Sequence, residues 1–309
     1  MNRILSIVAV AALLAACQAS TGDLGSVAPP PPSEEPSIEL PSSEPTPAES
    51  PEPSLGPAES QGSSSGTVTL RAYFFLGSFV DNAGLVPVLR EIPKTKAVGG
   101  AAMEALLAGP NDDELGARPA MYTDIPDGAR FLGLTIDAGV ANVNLSREFE
   151  SGGGSANVLG RLAQVVYTLT QFPSIETVQF QLDGQPIEVF SDAGYADHPV
   201  GRADYTGELP AIFVDRPAWG GELASPARLA GLANVFEAQF RVRIVTDAGR
   251  VLADGPVHAS CGSGCWGTFD VTIPYTVRSA RWGTLGVYEP SAKDGSVTNL
   301  TEYPVWLTP

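Results

Sequence analysis

The chain has 309 residues, with 18 Lys or Arg against 35 Asp or Glu, so its formal net charge is −17. Such an acidic chain does not hold a phosphate backbone by counterion release, which excludes a general nucleic-acid binder. Two histidines and three cysteines leave few ligands for a transition metal, and we expect no metal and no cofactor. The length suggests about two domains, and the 27 prolines are too many for one compact enzyme fold.

Residues 1–17 have the layout of an export signal. A mostly apolar run of eleven residues follows the positive charge of Arg3, and small residues precede Cys17. The run is too short to span a bilayer core of about 30 Å. The sequence Leu14-Ala15-Ala16-Cys17 resembles the bacterial lipoprotein box, which implies a signal peptide over 1–16, a lipid on Cys17 and anchoring at the extracytoplasmic face of the cell membrane. The alternative is an ordinary secretory signal that contains a cysteine.

Residues 17–66 have the composition of a disordered tether. After Cys17 they contain eleven of the 27 prolines, eight acidic residues and no Lys or Arg. With almost no large apolar residues, this segment cannot offset the conformational entropy lost on folding. Pro-rich, like-charged chains favour extended conformations, so we expect a spacer between the membrane and the folded part. Beyond residue 66 the chain has 17 basic and 27 acidic residues, a net charge of −10.

Strand and helix patterns alternate over residues 67–190. Apolar and polar residues alternate over 67–74, as in a half-buried strand. Helices are predicted over 96–108 and after the three glycines at 152–154, where apolar residues recur at helical spacing. Further strands are predicted at 129–136, 139–146, 178–182 and 186–190. This order predicts an α+β domain with a mixed sheet and helices on one face.

Five motifs follow one another in this region. They are Val86-Pro87-Val88, Leu106-Leu107-Ala108-Gly109-Pro110, Ile125-Pro126-Asp127-Gly128, Ala141-Asn142-Val143-Asn144-Leu145-Ser146 and the run from Arg161 to Pro173. Together they resemble the GerMN domain of bacterial sporulation and spore-germination proteins. The resemblance implies an extracytoplasmic interaction domain similar to ring-building motifs, without catalytic residues.

Helical periodicity ends after a polar, turn-rich segment at 191–208, which we interpret as a linker. Over 209–309, short strands are separated by Gly, Pro, Asp and Ser turns. The predicted strands are 211–214, 227–233, 236–244, 250–254, 268–273, 283–288 and 304–307. Seven short strands in about 100 residues predict an all-β sandwich.

Motifs in this second region are also specific. They are Ile212 to Pro217, Ser225-Pro226, Gly231 to Ala238, Gly264-Cys265-Trp266-Gly267-Thr268-Phe269 and Tyr303-Pro304-Val305. They resemble the Gmad2 immunoglobulin-like domain of spore-germination proteins, which often follows GerMN. The tandem order strengthens both resemblances.

Two cysteines, Cys261 and Cys265, remain after Cys17 is assigned to lipid. Outside the cytoplasm and in a Gly-rich loop, they are candidates for a small disulfide. A zinc site wants about four ligands, and only His258 is near in sequence. A redox pair would normally show a two-residue gap. The disulfide is therefore favoured over a metal site or two free thiols.

An interaction surface is predicted on one face of the strand at 236–244. Its polar side comprises Glu237, Gln239, Arg241 and Arg243, to which we add Trp266, whose ring would form a stacking platform if it were exposed. A solvated sheet face and a core tryptophan are the simpler interpretations. The residues nevertheless suit a partner strand, an acidic ligand or a stacked sugar.

No residue pattern points to catalysis. The sequence therefore predicts a non-enzymatic, lipid-anchored protein that presents two interaction domains to other envelope proteins, in an assembly related to sporulation or germination, with self-association as a further expectation. The alternative is an envelope lipoprotein that binds peptidoglycan or carbohydrate through Trp266 or the arginine face.

Overall fold

The computed structural model describes residues 66–77, 84–187 and 198–309. The signal sequence, Cys17, the predicted tether and the end of the strand predicted at 186–190 lie outside these ranges. The described residues all belong to one compact unit, residues 61–309. Within them, no helix combines the length and the apolar character needed to cross a membrane.

The first part of the fold alternates strands and helices. Its elements are β1 Thr67–Leu76, β2 Gly84–Pro93, α1 Val98–Leu107, α2 Asp112–Leu115, β3 Met121–Tyr122, β4 Phe131–Asp137, β5 Val140–Leu145, α3 Ser155–Leu169, β6 Thr177–Leu182 and β7 Gln185–Pro186. One antiparallel sheet has the order β2-β1-β3, and a second has the order β4-β5-β6-β7 with a parallel pair β5–β6. The α+β prediction is confirmed, with the strands divided between two sheets.

Helix α3 is the centre of this part. Eleven of its fifteen residues are buried, which is typical of a helix covered on all sides. It contacts β1, β6 and α1. Its buried Gln164 donates from Nε2 to the Tyr73 carbonyl at 2.9 Å and accepts at Oε1 from the Asp124 amide at 2.9 Å. A buried amide whose groups are paired fixes the helix against its neighbours rather than costing stability.

The second part of the fold contains strands only, apart from short 3₁₀ turns. The strands are β8 Ile212–Arg216, β9 Glu222–Ala224, β10 Ala227–Ala233, β11 Gln239–Thr246, β12 Val251–His258, β13 Gly267–Ile273, β14 Arg281–Pro290 and β15 Val297–Thr308. They form a three-stranded sheet, β13-β10-β8, and a five-stranded sheet, β12-β11-β14-β15-β9. Buried Phe240 on β11 lies 5.0 Å, centroid to centroid, from Phe269 on β13, so the two sheets meet in a common core. The all-β prediction is confirmed.

The strand predicted at 236–244 is shorter than its alternation indicates. Residues Phe236–Ala238 form a 3₁₀ turn, and the strand begins at Gln239. Phe236 is 58% exposed, although its place in the pattern predicted an inward side chain. Glu237 and Ala238 have positive φ angles, which end the extended conformation here.

The segment assigned to a linker also contributes structure. Residues Arg202–Glu208 form a 3₁₀ helix that contacts α3, and Tyr205 is buried. A second link joins the two parts of the fold: Trp219, between β8 and β9, donates its backbone N–H to the carbonyl of Pro87 on β2 at 2.8 Å. The buried apolar side chains of both parts belong to one continuous cluster. The two parts therefore share a core.

Candidate interaction site

The predicted pair Arg241 and Arg243 lies on the outward face of β11. Along this strand, buried and more accessible residues alternate, with Phe240, Val242 and Ile244 facing the core. Since side chains alternate across a strand, the two arginines point to the same accessible side. The sequence pattern therefore placed these two residues correctly.

A single carboxylate lies between the two guanidinium groups. Asp254 on β12 is the cross-strand partner of Arg243. Its Oδ1 lies 2.5 Å from Arg241 Nη2, and its Oδ2 lies 2.7 Å from Arg243 Nε. Partial burial alone would raise the pKa of Asp254, but the hydrogen bonds from Arg243 and Arg241 lower it below its usual range. The carboxylate stays ionised, and the trio keeps one net positive charge.

Tyr288 on β14 completes the cluster. Its hydroxyl accepts from Arg243 Nη2 at 3.0 Å and from Arg241 Nε at 3.1 Å. The Arg243 guanidinium lies 5.1 Å from the centroid of the Tyr288 ring, a cation–π distance. Both arginine side chains are thus hydrogen-bonded to groups on the neighbouring strands.

An apolar patch adjoins this cluster. Val297 and Leu300 on β15 are 49% and 51% exposed. They line a shallow cavity of about 80 Å³ together with Arg243, Tyr288 and the exposed Glu302. We call the set of Arg241, Arg243, Asp254, Tyr288, Val297 and Leu300 the β11 face. It combines oriented donors with an exposed apolar anchor point.

The β11 face contains residues that the sequence pattern missed. Asp254 and Tyr288 belong to neighbouring strands, and their alignment with the arginines depends on strand register. The pairs Arg243–Asp254 and Arg241–Tyr288 are cross-strand neighbours in the sheet. Short-range periodicity carries no information on which residues of two strands lie opposite one another.

Of the other predicted surface residues, Gln239 shares the outward side of β11, whereas Glu237 and Trp266 lie outside the strand. Gln239 is exposed at the start of β11, and Glu237 is exposed in the preceding 3₁₀ turn. Trp266 directly precedes β13, which belongs to the opposite sheet, and it is half-buried against the core.

The loop before β13 contains the two remaining cysteines. Cys261 and Cys265 form a disulfide, with their Cα atoms 6.0 Å apart. The same loop contacts the turn before β11, because Ser263 Oγ accepts from the Glu237 amide at 3.0 Å. The disulfide thus closes the loop that supports one end of the β11 strand. Among the described residues, no three His, Cys, Asp or Glu side chains cluster to hold a metal.

Family models match the two parts of the chain separately. Residues 72–188 match the model described as sporulation and spore germination, and residues 211–296 match the model described as the immunoglobulin-like domain of bacterial spore germination. The chain carries a GerMN domain followed by a Gmad2 domain. The resemblances inferred from the sequence motifs are therefore confirmed, and the β11 face belongs to the Gmad2 domain.

Relatives and solved structures align with parts of this chain. Lipoprotein LpqB from Thermobifida fusca strain YX is 27% identical over an alignment of 162 residues, and the match covers 48% of this chain and 25% of the relative. The chain thus spans about a quarter of that relative's length. The first GerMN domain of the sporulation protein GerM from Bacillus subtilis is 21% identical, with 44% of this chain and 99% of that chain covered and a TM-score of 0.37. The tandem GerMN domains of the same protein are 15% identical to this chain, with a TM-score of 0.36. That match covers 69% of this chain and 64% of the solved one.

The GerMN domain has a cleft that the sequence did not indicate. It has a volume of about 570 Å³ and is lined by residues in and around β3 and at the start of α3, with Tyr122, Asp124 and Asn157 as its polar side chains. Asn157 Nδ2 donates to Asp124 Oδ1 at 2.7 Å. Burial raises the pKa of Asp124 despite this hydrogen bond and the nearby Arg161. Burial likewise raises the pKa of Tyr122 to about 12, with further contributions from Asp124 and Glu208.

Proposed function

We propose that this chain is a lipid-anchored protein of the bacterial cell envelope that acts without catalysis, as an interaction module for other envelope proteins. The lipoprotein-box sequence ending at Cys17 supports the anchor, and the similarity to a protein named lipoprotein LpqB points the same way. The pairing of GerMN and Gmad2 domains supports a role in an assembly related to sporulation or germination.

The observation that carries the proposal is the β11 face. Arg and Tyr are enriched among residues that dominate binding energy at protein interfaces. Here the two arginines and Tyr288 are already held by Asp254, so a partner loses little side-chain entropy when it binds them. Leu300 and Val297 lie beside them, and burying their exposed apolar surface against a partner would favour binding.

The chemistry of the face defines the partner it fits. A carbonyl oxygen on the partner accepts from the guanidinium N–H groups that Asp254 and Tyr288 leave unused, since Glu302 at the same cavity offsets the remaining positive charge. An apolar side chain of the partner packs on Leu300 and Val297. Self-association is a special case in which a second copy supplies these groups.

Crosslinking in intact membranes tests the proposal. We expect the full chain to recover specific envelope proteins, and Leu300→Asp to reduce that recovery at least tenfold by placing a charge in the apolar part of the face. Leu115→Asp is the matched control, since Leu115 is a 54% exposed leucine in the other domain. Equal recovery with both variants would contradict the proposed face.

The anchor is tested separately. Cys17→Ala removes the sulfur that would carry the lipid, so we expect the chain to leave the membrane fraction. A variant that stays in the membrane fraction would contradict the lipid anchor without bearing on the β11 face. Sedimentation of the full chain with purified cell wall distinguishes the alternative, a peptidoglycan-binding module.

A further inference from the structure

A row of aromatic and acidic residues crosses the five-stranded sheet near its other end. Trp282 on β14 pairs with Trp306 on β15, and Trp306 pairs with Glu222 on β9. On the opposite side of Trp282, the Asp247 amide donates to the Trp282 carbonyl at 3.2 Å. The order across the sheet is therefore acid, tryptophan, tryptophan, acid.

Both indole rings of this row are open to solvent. Trp282 is 50% exposed and Trp306 is 37% exposed. Their centroids are 5.3 Å apart, with the ring planes at 70°. Each residue's neighbours along the strand, Gly283 and Leu307, are buried, so the indoles lie on the outward side of the sandwich. Two adjacent exposed tryptophans are a large apolar and π-rich surface.

The two carboxylates that flank the rings are not neutralised within the described part of the chain. Glu222 and Asp247 are exposed, and neither forms an ion pair with a described residue. Glu222 Oε1 accepts a hydrogen bond from Thr308 Oγ1 at 2.8 Å, and Asp247 Oδ1, in the turn after β11, accepts from the Ala248 amide at 2.9 Å. Both bonds come from neutral groups and leave the charges in place. The row therefore presents two negative charges with the π-faces of two indoles between them.

We propose that this row binds an extended segment of a partner protein that carries two basic side chains. This rests on the proposed function, because it gives the interaction module a second binding surface. A Lys or Arg cation is attracted both to an indole face and to a neighbouring carboxylate. The net charge of −10 beyond residue 66 favours the approach of a basic partner.

The spacing of the row specifies the partner further. Neighbouring strands lie about 4.8 Å apart, so the four residues span roughly 14 Å across the sheet. In an extended peptide, side chains four positions apart are separated by roughly 13 Å and point to the same side. Two basic residues with three residues between them therefore reach both carboxylates while the intervening chain crosses the rings. A neutral sugar would stack on the indoles but would leave both charges unpaired.

The test uses the full chain and a synthetic nonapeptide with lysines at positions 3 and 7. A matched peptide has glutamine at both positions. We expect the lysine peptide to bind at least tenfold more tightly by isothermal titration, to quench tryptophan fluorescence and to weaken as salt rises. Equal affinity of the two peptides would overturn the proposal.

Variants of the row separate its components. The double variant Glu222→Gln and Asp247→Asn keeps side-chain shape and removes both charges, so we expect at least a tenfold loss of affinity for the lysine peptide. Trp282→Ala should also weaken binding, whereas Glu104→Gln, an exposed glutamate of the GerMN domain, should leave it unchanged. Binding that survives the double variant would refute the charge recognition.

Chitotetraose is the probe for the competing occupant. Binding of this sugar without binding of the lysine peptide would overturn the proposal in favour of a carbohydrate platform. Failure of the row is distinguishable from failure of the proposed function, because the crosslinking experiment reports on Leu300 at the β11 face. Loss of peptide binding with intact recovery of envelope proteins would refute the row alone.

Discussion

The Tyr73 hydroxyl donates a 2.6 Å hydrogen bond to Asp215 Oδ1, although 142 positions separate the two residues. Tyr73 lies on β1 of the GerMN domain, and Asp215 lies on β8 of the Gmad2 domain. Burial raises the pKa of Tyr73, and the charge of Asp215 raises it further, so the phenol keeps its proton at neutral pH. The bond is a polar link between the two domains within the shared core.

Arg202 contacts both partners of this hydrogen bond and the residues around it. Its guanidinium carbon lies 4.7 Å from the Tyr167 ring centroid and 5.4 Å from that of Tyr73. Its Nε donates to Thr170 Oγ1 at 2.8 Å, and its Nη1 lies 3.4 Å from Asp215 Oδ1. One side chain thus contacts a strand and a helix of the first domain and a strand of the second.

Arg202→Ala should therefore destabilise the protein strongly. It leaves the Asp215 carboxylate, which is 19% exposed, without its cation and removes the guanidinium contacts with two tyrosine rings. Breaking a buried ion pair by removing one partner typically costs about 3 to 5 kcal/mol, and partial solvent access places this case near the lower value. Urea unfolding of the full chain measures the change.

The control for this experiment is Arg228→Ala. Arg228 pairs with Asp270 at 2.7 Å, but both side chains are more than half exposed. Exposed ion pairs contribute little to stability, so the urea midpoint of Arg228→Ala should match that of the unchanged protein. Equal loss in both variants would show that Arg202 has no special role between the domains.

Arg202 also shows where prediction from sequence ended. The alternation of β1 and the helical spacing of α3 were readable because they depend on residues that are near in sequence. The composition of 191–208 indicated a linker, since polar and turn-forming residues give no sign of a long-range partner. The positions that Arg202 and Asp215 occupy depend on how two domains pack, which no local pattern encodes.

The candidate site likewise contains some residues that local sequence pattern predicted and others that it did not. Arg241 and Arg243 were found because strand alternation places them on one face. Asp254 and Tyr288 were missed because their role depends on cross-strand register. The two-residue β3 and the three-residue β9 were also missed, since strands this short have no detectable period.

Gly160→Ala should destabilise the protein, although alanine usually strengthens a helix by about 1 kcal/mol relative to glycine. Gly160 lies inside α3, and a Cβ there would lie 2.1 Å from Asp124 Oδ2 and 3.1 Å from the Phe75 ring. Overpacking of this kind costs about 1 to 3 kcal/mol. Thermal unfolding measures the effect. Gly207→Ala, where the added carbon would meet no atom within 4 Å, is the control and should change the midpoint little.

Removal of the disulfide should lower stability moderately. Cys261 and Cys265 are four positions apart, and a loop this short gains about 2 kcal/mol from a crosslink in the chain-entropy model. The double substitution by serine should therefore lower Tm by roughly 4 to 8 °C. Adding reductant to the unchanged protein should produce the same shift. A Tm that is insensitive to both treatments would contradict a stabilising role for the crosslink.

The pH dependence of stability should change when Asp124 is replaced by asparagine. Burial raises the pKa of Asp124 in the folded state, so the folded chain holds this proton at a higher pH than the unfolded chain does. The contribution of Asp124 to stability therefore falls as pH rises through the folded pKa. Asparagine has no proton to lose and keeps an oxygen that accepts from Asn157. The variant should gain stability relative to the unchanged protein between acidic and neutral pH.

Urea midpoints measured across this pH range test the sign. Glu208→Gln should shift the curves in the same direction, because burial and the Asp124 charge raise the pKa of Glu208 as well. The double variant should gain less stability than the sum of the two single changes. The repulsion between the two carboxylates disappears when either one is neutralised, so it can be removed only once. Parallel curves for the unchanged protein and for Asp124→Asn would show that this carboxyl titrates alike in the folded and unfolded states.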